Sequence, residues 1–355
     1  SSLEGVSMAF GRWFASSLCA LCFACSSEGN RPSDQRSFIE NPESEFPERL
    51  SDVGLWDLTA QRDPTALKDP TALGDVWSSE ADPRALEFEP HFPLWTNGAH
   101  KRRQLVLPEG ELIDASDPTN WTVPLGSVAF KTLFFADDRG NPIPAETRVI
   151  HLARDGERRY AVYVWDPESR DATRVDSGAT LQVRDFSGNQ LAHEVPSESE
   201  CSACHDSSPQ ALLGLNGYQQ QAADKGVLAP SAFTAPPAPP SKTLRGEDVQ
   251  SRVLGYFVGN CSHCHNDWHG PNSEFSLLPG AAITNLVNVE SRGSASTAGI
   301  RVIPGDPQSS LLIQAMDSVE GKRRAKPMPP LGVQVEDVSG MTLIEDWIEH
   351  LEHAD

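Results

Sequence analysis

Two pentapeptides carry the residue types and spacing that do chemistry. Cys201-Ser202-Ala203-Cys204-His205 and Cys261-Ser262-His263-Cys264-His265 each put an imidazole directly after the second of two closely spaced thiols. This is C-x-x-C-H, the attachment motif of c-type haem. The thiols add to the two haem vinyl groups as thioethers. The intervening chain is about one helical turn, so both sulfurs reach one edge of the porphyrin and the next residue turns its ring toward the iron. One such pentapeptide can arise by chance; two in one chain make chance a poor explanation. Zinc is a rival, because paired C-x-x-C motifs bind it when the pairs lie about 12–20 residues apart. Here the whole stretch 205–260, including a Pro-rich run, lies between them. A disulfide or redox pair is a further rival, but it does not require His after both pairs. The expected cofactors are two covalently bound haem c groups, with His205 and His265 as iron ligands.

Met328, in Lys326-Pro327-Met328-Pro329-Pro330, is the expected sixth ligand of the second iron. Prolines on both sides stiffen the backbone and let the thioether project. Such ligation raises the reduction potential relative to two imidazoles. Met316 and Met341 sit on helical patterns as packing residues. The first motif has no Met or His between His205 and the Pro-rich run, so its sixth ligand must come from upstream. His100 is the first choice, with His91, His151 and His193 as alternatives and an open, five-coordinate iron as another. His263 cannot reach its own iron axially. His269, His350 and His353 read as solvent-facing.

These groups need elements to hold them. Short runs rich in β-branched and aromatic residues, 105–107, 128–135, 148–152, 160–165 and 179–183, alternate with turn signals such as Asp155-Gly156 and Ser187-Gly188-Asn189. They predict a small sandwich or irregular barrel over 88–195, with Phe92, Trp95, Trp121, Phe134 and Trp165 in its core. Residues 229–240 are Pro-rich. As extended polyproline they would reach roughly 37 Å at about 3.1 Å per residue, which makes them a linker between the two motifs. Beyond it, Val249, Val253, Tyr256 and Phe257 share one face of a helix near 246–259. Asp306 and Pro307 read as the start of another helix, and 340–353 as a last helix capped by Asp337 or Ser339. The first and last of these helices are expected to pack together.

Residues 246–355 resemble a class I cytochrome c domain: an early C-x-x-C-H after a short helix, Gly305-Asp306-Pro307-Gln308-Ser309-Ser310-Leu311-Leu312, Met328-Pro329-Pro330-Leu331-Gly332 and a closing helix with Trp347-Ile348. Upstream, the chain resembles a family of mostly uncharacterised bacterial dihaem cytochromes. The resemblance rests on 50–55, Phe92-Pro93-Leu94-Trp95-Thr96, Lys101-Arg102-Arg103 before 107–110, Glu146-Thr147-Arg148, Tyr163-Val164-Trp165 and Glu194-Val195-Pro196-Ser197 before Glu200-Cys201. It implies haem binding and electron transfer with redox partner proteins and fixes no substrate. The fold it implies is α+β, a β-rich N-terminal domain followed by a mostly α-helical cytochrome c-like domain. The alternatives are a dihaem peroxidase-like oxidoreductase and a haem-based ligand sensor, each using an open first iron.

The N-terminal region reads as an export signal. Arg12 precedes a 13–24 run that is apolar except for Ser16 and Ser17, too short to span a bilayer. Ala24-Cys25 resembles a bacterial lipoprotein cleavage site, which predicts a lipid anchor at Cys25 and a periplasmic or outer-membrane location. The expected organisation is a signal over 1–24, a disordered acidic tether over 25–49, a β-rich domain over 50–228 ending in the first motif, a linker over 229–245 and the cytochrome c-like domain over 246–355. Asp-Pro-Thr-Ala-Leu occurs at 63–67 and again at 69–73, a local duplication.

The whole chain has 355 residues, 29 Lys plus Arg against 50 Asp plus Glu, a formal charge of −21, and 28 Pro. Such a surface repels phosphate and argues against a nucleic-acid partner. Lys322-Arg323-Arg324 with Lys326 is a basic exception beside Met328, fit to neutralise haem propionates or dock an anionic redox partner.

Overall fold

The computed structural model describes residues 37–56, 82–166, 171–220, 228–240, 244, 246, 248–268, 274–291, 298–317 and 325–351. All belong to one compact unit, Ser37–Asp355. The export signal, Cys25, the duplicated 63–73 segment, Lys322-Arg323-Arg324, His269 and His353 lie outside the described residues. No helix among the described residues is long and apolar enough to cross a membrane.

The fold is α+β. Six strands form one antiparallel sheet in chain order: β1 Leu86–Glu87, β2 His100–Val106, β3 Val128–Ala136, β4 Pro142–Leu152, β5 Arg158–Trp165 and β6 Ala172–Arg174. A separate hairpin pairs β7 Ala179–Arg184 with β8 Gln190–Val195. Neighbours in sequence are neighbours in space; tight turns such as Asp155-Gly156, with Gly156 at φ 90°, join β3 to β4 and β4 to β5, while longer irregular segments join β1 to β2 and β2 to β3. The expected sandwich or barrel is replaced by an open meander. One face is covered by irregular chain, and the other by irregular chain together with the β7–β8 hairpin, whose Val183 and His193 pack near Leu133 and Phe135.

Strand pleating sends alternate side chains to opposite faces. One face carries Val106, Val128, Phe130, Val149, Ala161, Tyr163 and Trp165, which pack against Phe38, Ile39, Leu50, Val53, Leu55 and Trp56. The acidic stretch read as a tether therefore joins the fold by Ser37. Phe38 and Ile39 are buried, each worth about 1.5–3 kcal/mol of transfer free energy. The other face carries Leu105, Ala129 and Ile150, which meet Leu212, Leu215 and Phe233.

The helices are α1 Glu198–His205, α2 Val249–Asn260, α3 Ala282–Leu286, α4 Leu311–Met316 and α5 Val338–Glu349. As expected, α2 and α5 pack together, with Phe257 edge-on to Trp347 at 6.1 Å between ring centres. Asp337 caps α5 by accepting from the Gly340 amide at 2.9 Å. The helix predicted to start at Asp306 begins at Leu311 instead. Asp306 accepts from the Ser309 amide (3.0 Å) and uses up its carboxylate in a turn before it.

The Pro-rich run does not act as a free spacer. Ile113 donates to the Ala232 carbonyl (2.8 Å), and the Thr234 and Ala238 amides donate to Ile113 (3.0 Å) and Ala115 (3.1 Å). Phe233 stands edge-on to Trp121 at 5.1 Å. Prolines keep the run extended, and the non-proline amides between them still pair with the segment beside the sheet.

Segment 88–97 fastens sheet to helices. Phe92 lies across α2 where Gly255 and Gly259 leave the helix bare. A Cβ on Gly255 would overlap the Phe92 ring, and one on Gly259 would sit 2.6 Å from the Phe92 carbonyl oxygen. Trp95 donates through its indole N–H to the Val335 carbonyl (2.8 Å), and its amide donates to Asn260 Oδ1 (2.7 Å). Gly259→Ala is therefore expected to destabilise the protein by about 1–3 kcal/mol in urea unfolding. Gly280→Ala, where an added Cβ meets nothing within 4 Å, should cost far less.

Candidate haem-binding site

The first motif forms helix α1. Ser197 and Glu200 make a capping box, with the Ser197 amide and hydroxyl both donating to Glu200 Oε2 at 2.8 Å. Those bonds hold the Glu200 carboxyl below its usual range. The Ser-x-x-Glu signature is plain in the sequence. The second motif continues α2 as a turn, with the His265 amide donating to the Cys261 carbonyl at 3.0 Å. In both cases the cysteines lie about one turn apart, as attachment to one porphyrin edge requires.

The two motifs touch. Asn266 Nδ2 donates to the Ser207 carbonyl at 3.2 Å, and the thiols of Cys204 and Cys264 lie close enough to shift each other's ionisation. All four cysteines are free thiols. Burial pushes Cys201 up to about 11 and Cys261 up to about 12. The neighbouring Cys264 thiol brings Cys204 down to about 7, while Cys204 and then burial raise Cys264.

Both histidines are held in the orientation an axial ligand needs. His205 Nδ1–H donates to the Ala211 carbonyl at 2.6 Å, which leaves Nε2 as the lone-pair nitrogen. Burial lowers its pKa to about 4, so the ring is neutral at neutral pH. His265 likewise bonds the Phe275 backbone, and burial lowers its pKa too. Its ring packs on Phe275 at 4.4 Å between centres, and the Arg301 guanidinium lies over the Phe275 ring at 3.8 Å. Arg158 fixes the loop after the first motif by donating to the carbonyls of His205 (2.7 Å), Ser208 (2.8 Å) and Pro209 (2.6 Å).

Cys201, Cys204, His205, Cys261, Cys264, His265 and Met328 all line one cavity of about 1720 Å³. Ordinary small-molecule pockets are about 300–1,000 Å³, so this one has room for more than one large planar group. Its walls include apolar side chains, among them Phe92, Leu212, Leu277, Leu286 and Leu312. Size, paired thiols at the wall and two imidazoles with Nδ1 or backbone-bonded rings fit c-type haem. Among the described residues no three His, Cys, Asp or Glu side chains converge as ligands of a single ion.

Met328 reaches the wall because its amide donates to the Ala315 carbonyl at 2.8 Å. Met316 and Met341 pack on the helical core, as expected, and also line the cavity. Lys326 of the basic cluster lines it as well. Phe92 and Trp95, expected in the β core, stand at the cavity wall instead, while Trp121, Phe134 and Trp165 are buried.

None of the upstream histidines is among the residues lining the cavity. His100 opens β2, and its ring stacks on Phe186 at 3.8 Å. It shares strand parity with Arg102 rather than with the cavity-facing Arg103, so its ring does not stand at the cavity wall. His151 faces the Phe38 side, 3.4 Å from Glu43. His91 packs on Phe92, its centroid 4.5 Å away. His193 is buried: Nε2–H donates to Glu146 Oε1 (2.9 Å) and Nδ1 accepts from Asn97 Nδ2 (3.2 Å).

That histidine belongs to a buried chain absent from the sequence reading. Arg148 pairs with Glu146 at 2.6 Å, Glu146 with His193, and His193 with Asn97. Asn97 Oδ1 then accepts from the Gln334 (2.8 Å) and Val335 (3.1 Å) amides. The chain ties the sheet to the loop that carries Met328. Asn97 adopts φ 51°, a conformation asparagine tolerates, and Gly98 follows at φ 74°. The Asn-Gly pair is the signal that could have marked this turn.

No protein-family model, curated protein or solved structure matches the chain.

Burial alone would raise the Glu146 carboxyl, but Arg148 and then His193 outweigh it and hold the pKa at about 2. The folded value is below the ordinary 4.5, so ionised Glu146 stabilises the fold above that pH. Its contribution is lost as pH falls toward 2. Acid unfolding followed by circular dichroism should show this loss, and Glu146→Gln should be less stable at neutral pH with a flatter acid limb.

Proposed function

We propose that the protein is an exported dihaem c-type cytochrome that carries electrons between redox partner proteins. The observation behind this reading is that two C-x-x-C-H motifs, far apart in sequence, open into one cavity, with Asn266 after the second motif bonded to the Ser207 carbonyl after the first. Cys201, Cys204 and His205 would hold one haem, and Cys261, Cys264 and His265 the other, with Met328 as the second iron's sixth ligand. Bound haem would supply one-electron exchange at iron. The chain's own part is to present neutral imidazole nitrogens and to keep water from the attachment edge with Phe92, Leu212 and Leu277. It also holds both motifs rigidly against each other through Asn266. In this reading the helical region from α2 to α5 is a class I cytochrome c-like domain, and the leader with Cys25 exports and anchors the chain by lipid.

A second reading is favoured by one observation: none of His91, His100, His151 and His193 lines the cavity. The first iron would then be five-coordinate and open, as a peroxidase-like oxidoreductase or a ligand sensor needs. Reduced-minus-oxidised absorption spectra with spin-state assignment test both. Two low-spin haems unchanged by carbon monoxide support the carrier. One high-spin haem that binds carbon monoxide supports the second reading, and no haem absorption contradicts both. Met328→Ala should lower the midpoint potential of one haem and leave the other unchanged; potentiometric titration that finds neither moved would remove Met328 as a ligand.

A further inference from the structure

Three cations sit side by side where the cavity meets the sheet. The register places Arg103 of β2 directly opposite Lys131 of β3, and Lys131 directly opposite Arg148 of β4. All three line the cavity. Directly opposed residues in antiparallel strands have Cβ atoms about 4.5–5.5 Å apart, and like charges so placed repel. Burial sharpens the repulsion, because little water screens it: Arg103 is only 9% exposed. Glu146 answers one of the three charges, through Arg148, and it is shared with His193. Among the described residues the side chains of Arg103 and Lys131 have no hydrogen-bond or ion-pair partner. Glu89 is the carboxylate whose field reaches Arg103.

This arrangement runs against the chain as a whole, whose formal charge is −21. A fold that buries three like charges in one row must supply a counter-charge or pay in stability. Burial and the neighbouring cations push the Lys131 ammonium well below its ordinary pKa, and burial lowers Arg103 to about 10. Both shifts are what a missing anion would leave behind. Guanidinium and ammonium donors in a short row match the oxygens of carboxylates, and arginine can bind them two at a time. The row also lies near the first motif, since the charges of Arg148 and Lys131 act on both Cys201 and Cys204.

We propose that Arg103, Lys131 and Arg148 form an internal carboxylate-binding site in the cavity. Two sources carry that chemistry: the propionate side chains of a bound haem, or a small free dicarboxylate. The first source rests on the dihaem reading; the second does not.

The test compares the wild-type holoprotein with Lys131→Met, Arg103→Gln and the conservative Lys131→Arg, each checked for folding by circular dichroism. Two readouts are taken: potentiometric midpoint potentials, and calorimetric titration with succinate. If propionates occupy the row, Lys131→Met and Arg103→Gln lower the potential of one haem, Lys131→Arg restores it, and succinate does not bind. If a free dicarboxylate occupies it, wild type binds succinate saturably, the two neutral variants bind at least tenfold more weakly, and Lys131→Arg stays near wild type. The proposal is overturned if Lys131→Met raises the melting temperature while potentials and succinate binding are those of wild type. That result would mean the row is only repulsion. Should the protein carry no haem, the dihaem reading fails by itself. Succinate titration of the haem-free chain then decides the row alone, and binding equal in all variants or absent in wild type overturns it.

Discussion

Gly255 and Gly259 leave helix α2 bare along one side, and the chain at Phe92 lies in that trough at a distance no side chain would permit. The cavity depends on this close approach. It brings the sheet, with the first motif packed at its end, against the helices that carry the second. Trp95, Asn97 and Asn260 then fasten the same segment to α2 and to the loop after Met328. Widening the seam would part Cys204 from Cys264 and Asn266 from Ser207. At Gly340 the same device recurs: a Cβ there would overlap the Tyr256 ring, so α5 closes on α2 only because that position is bare.

Local features of this fold were legible in the sequence because they rest on short-range chemistry. Both motifs, the runs of β3 and β5, the α2 and α5 faces and the Asp337 cap need only a few neighbouring residues to be recognised. What escaped depends on partners far along the chain. Strand β4 begins at Pro142, well before its β-branched run at 148–152, because pairing with β3 extends it. The Pro-rich run looked like a spacer because its pairing with Ile113 and Ala115 has no signature of its own. His100 fits a ligand by type, but strand parity turns its ring away from the cavity to stack on Phe186.

Parity also hid the cations. Lys101-Arg102-Arg103 reads as a basic cluster, but the pleat sends Arg102 to Glu87 on one face and Arg103 into the cavity on the other. Glu146 and Arg148 share that inner parity. The acidic chain therefore holds a row of cations on the sheet side of its cavity, and that row is wired through Glu146, His193 and Asn97 to the loop bearing Met328. A charge change at the sheet and a shift of that loop are joined by one line of buried hydrogen bonds, which are costly to break singly.

The account stands or falls on covalent haem at both motifs. Its most direct test is the intact mass of the full chain, exported in a host competent for c-type haem attachment and denatured before measurement. The expected result is two haem additions on one polypeptide, falling to one when Cys201 and Cys204, or Cys261 and Cys264, are replaced by Ala. A chain without added mass, its four thiols all open to alkylation, would contradict it.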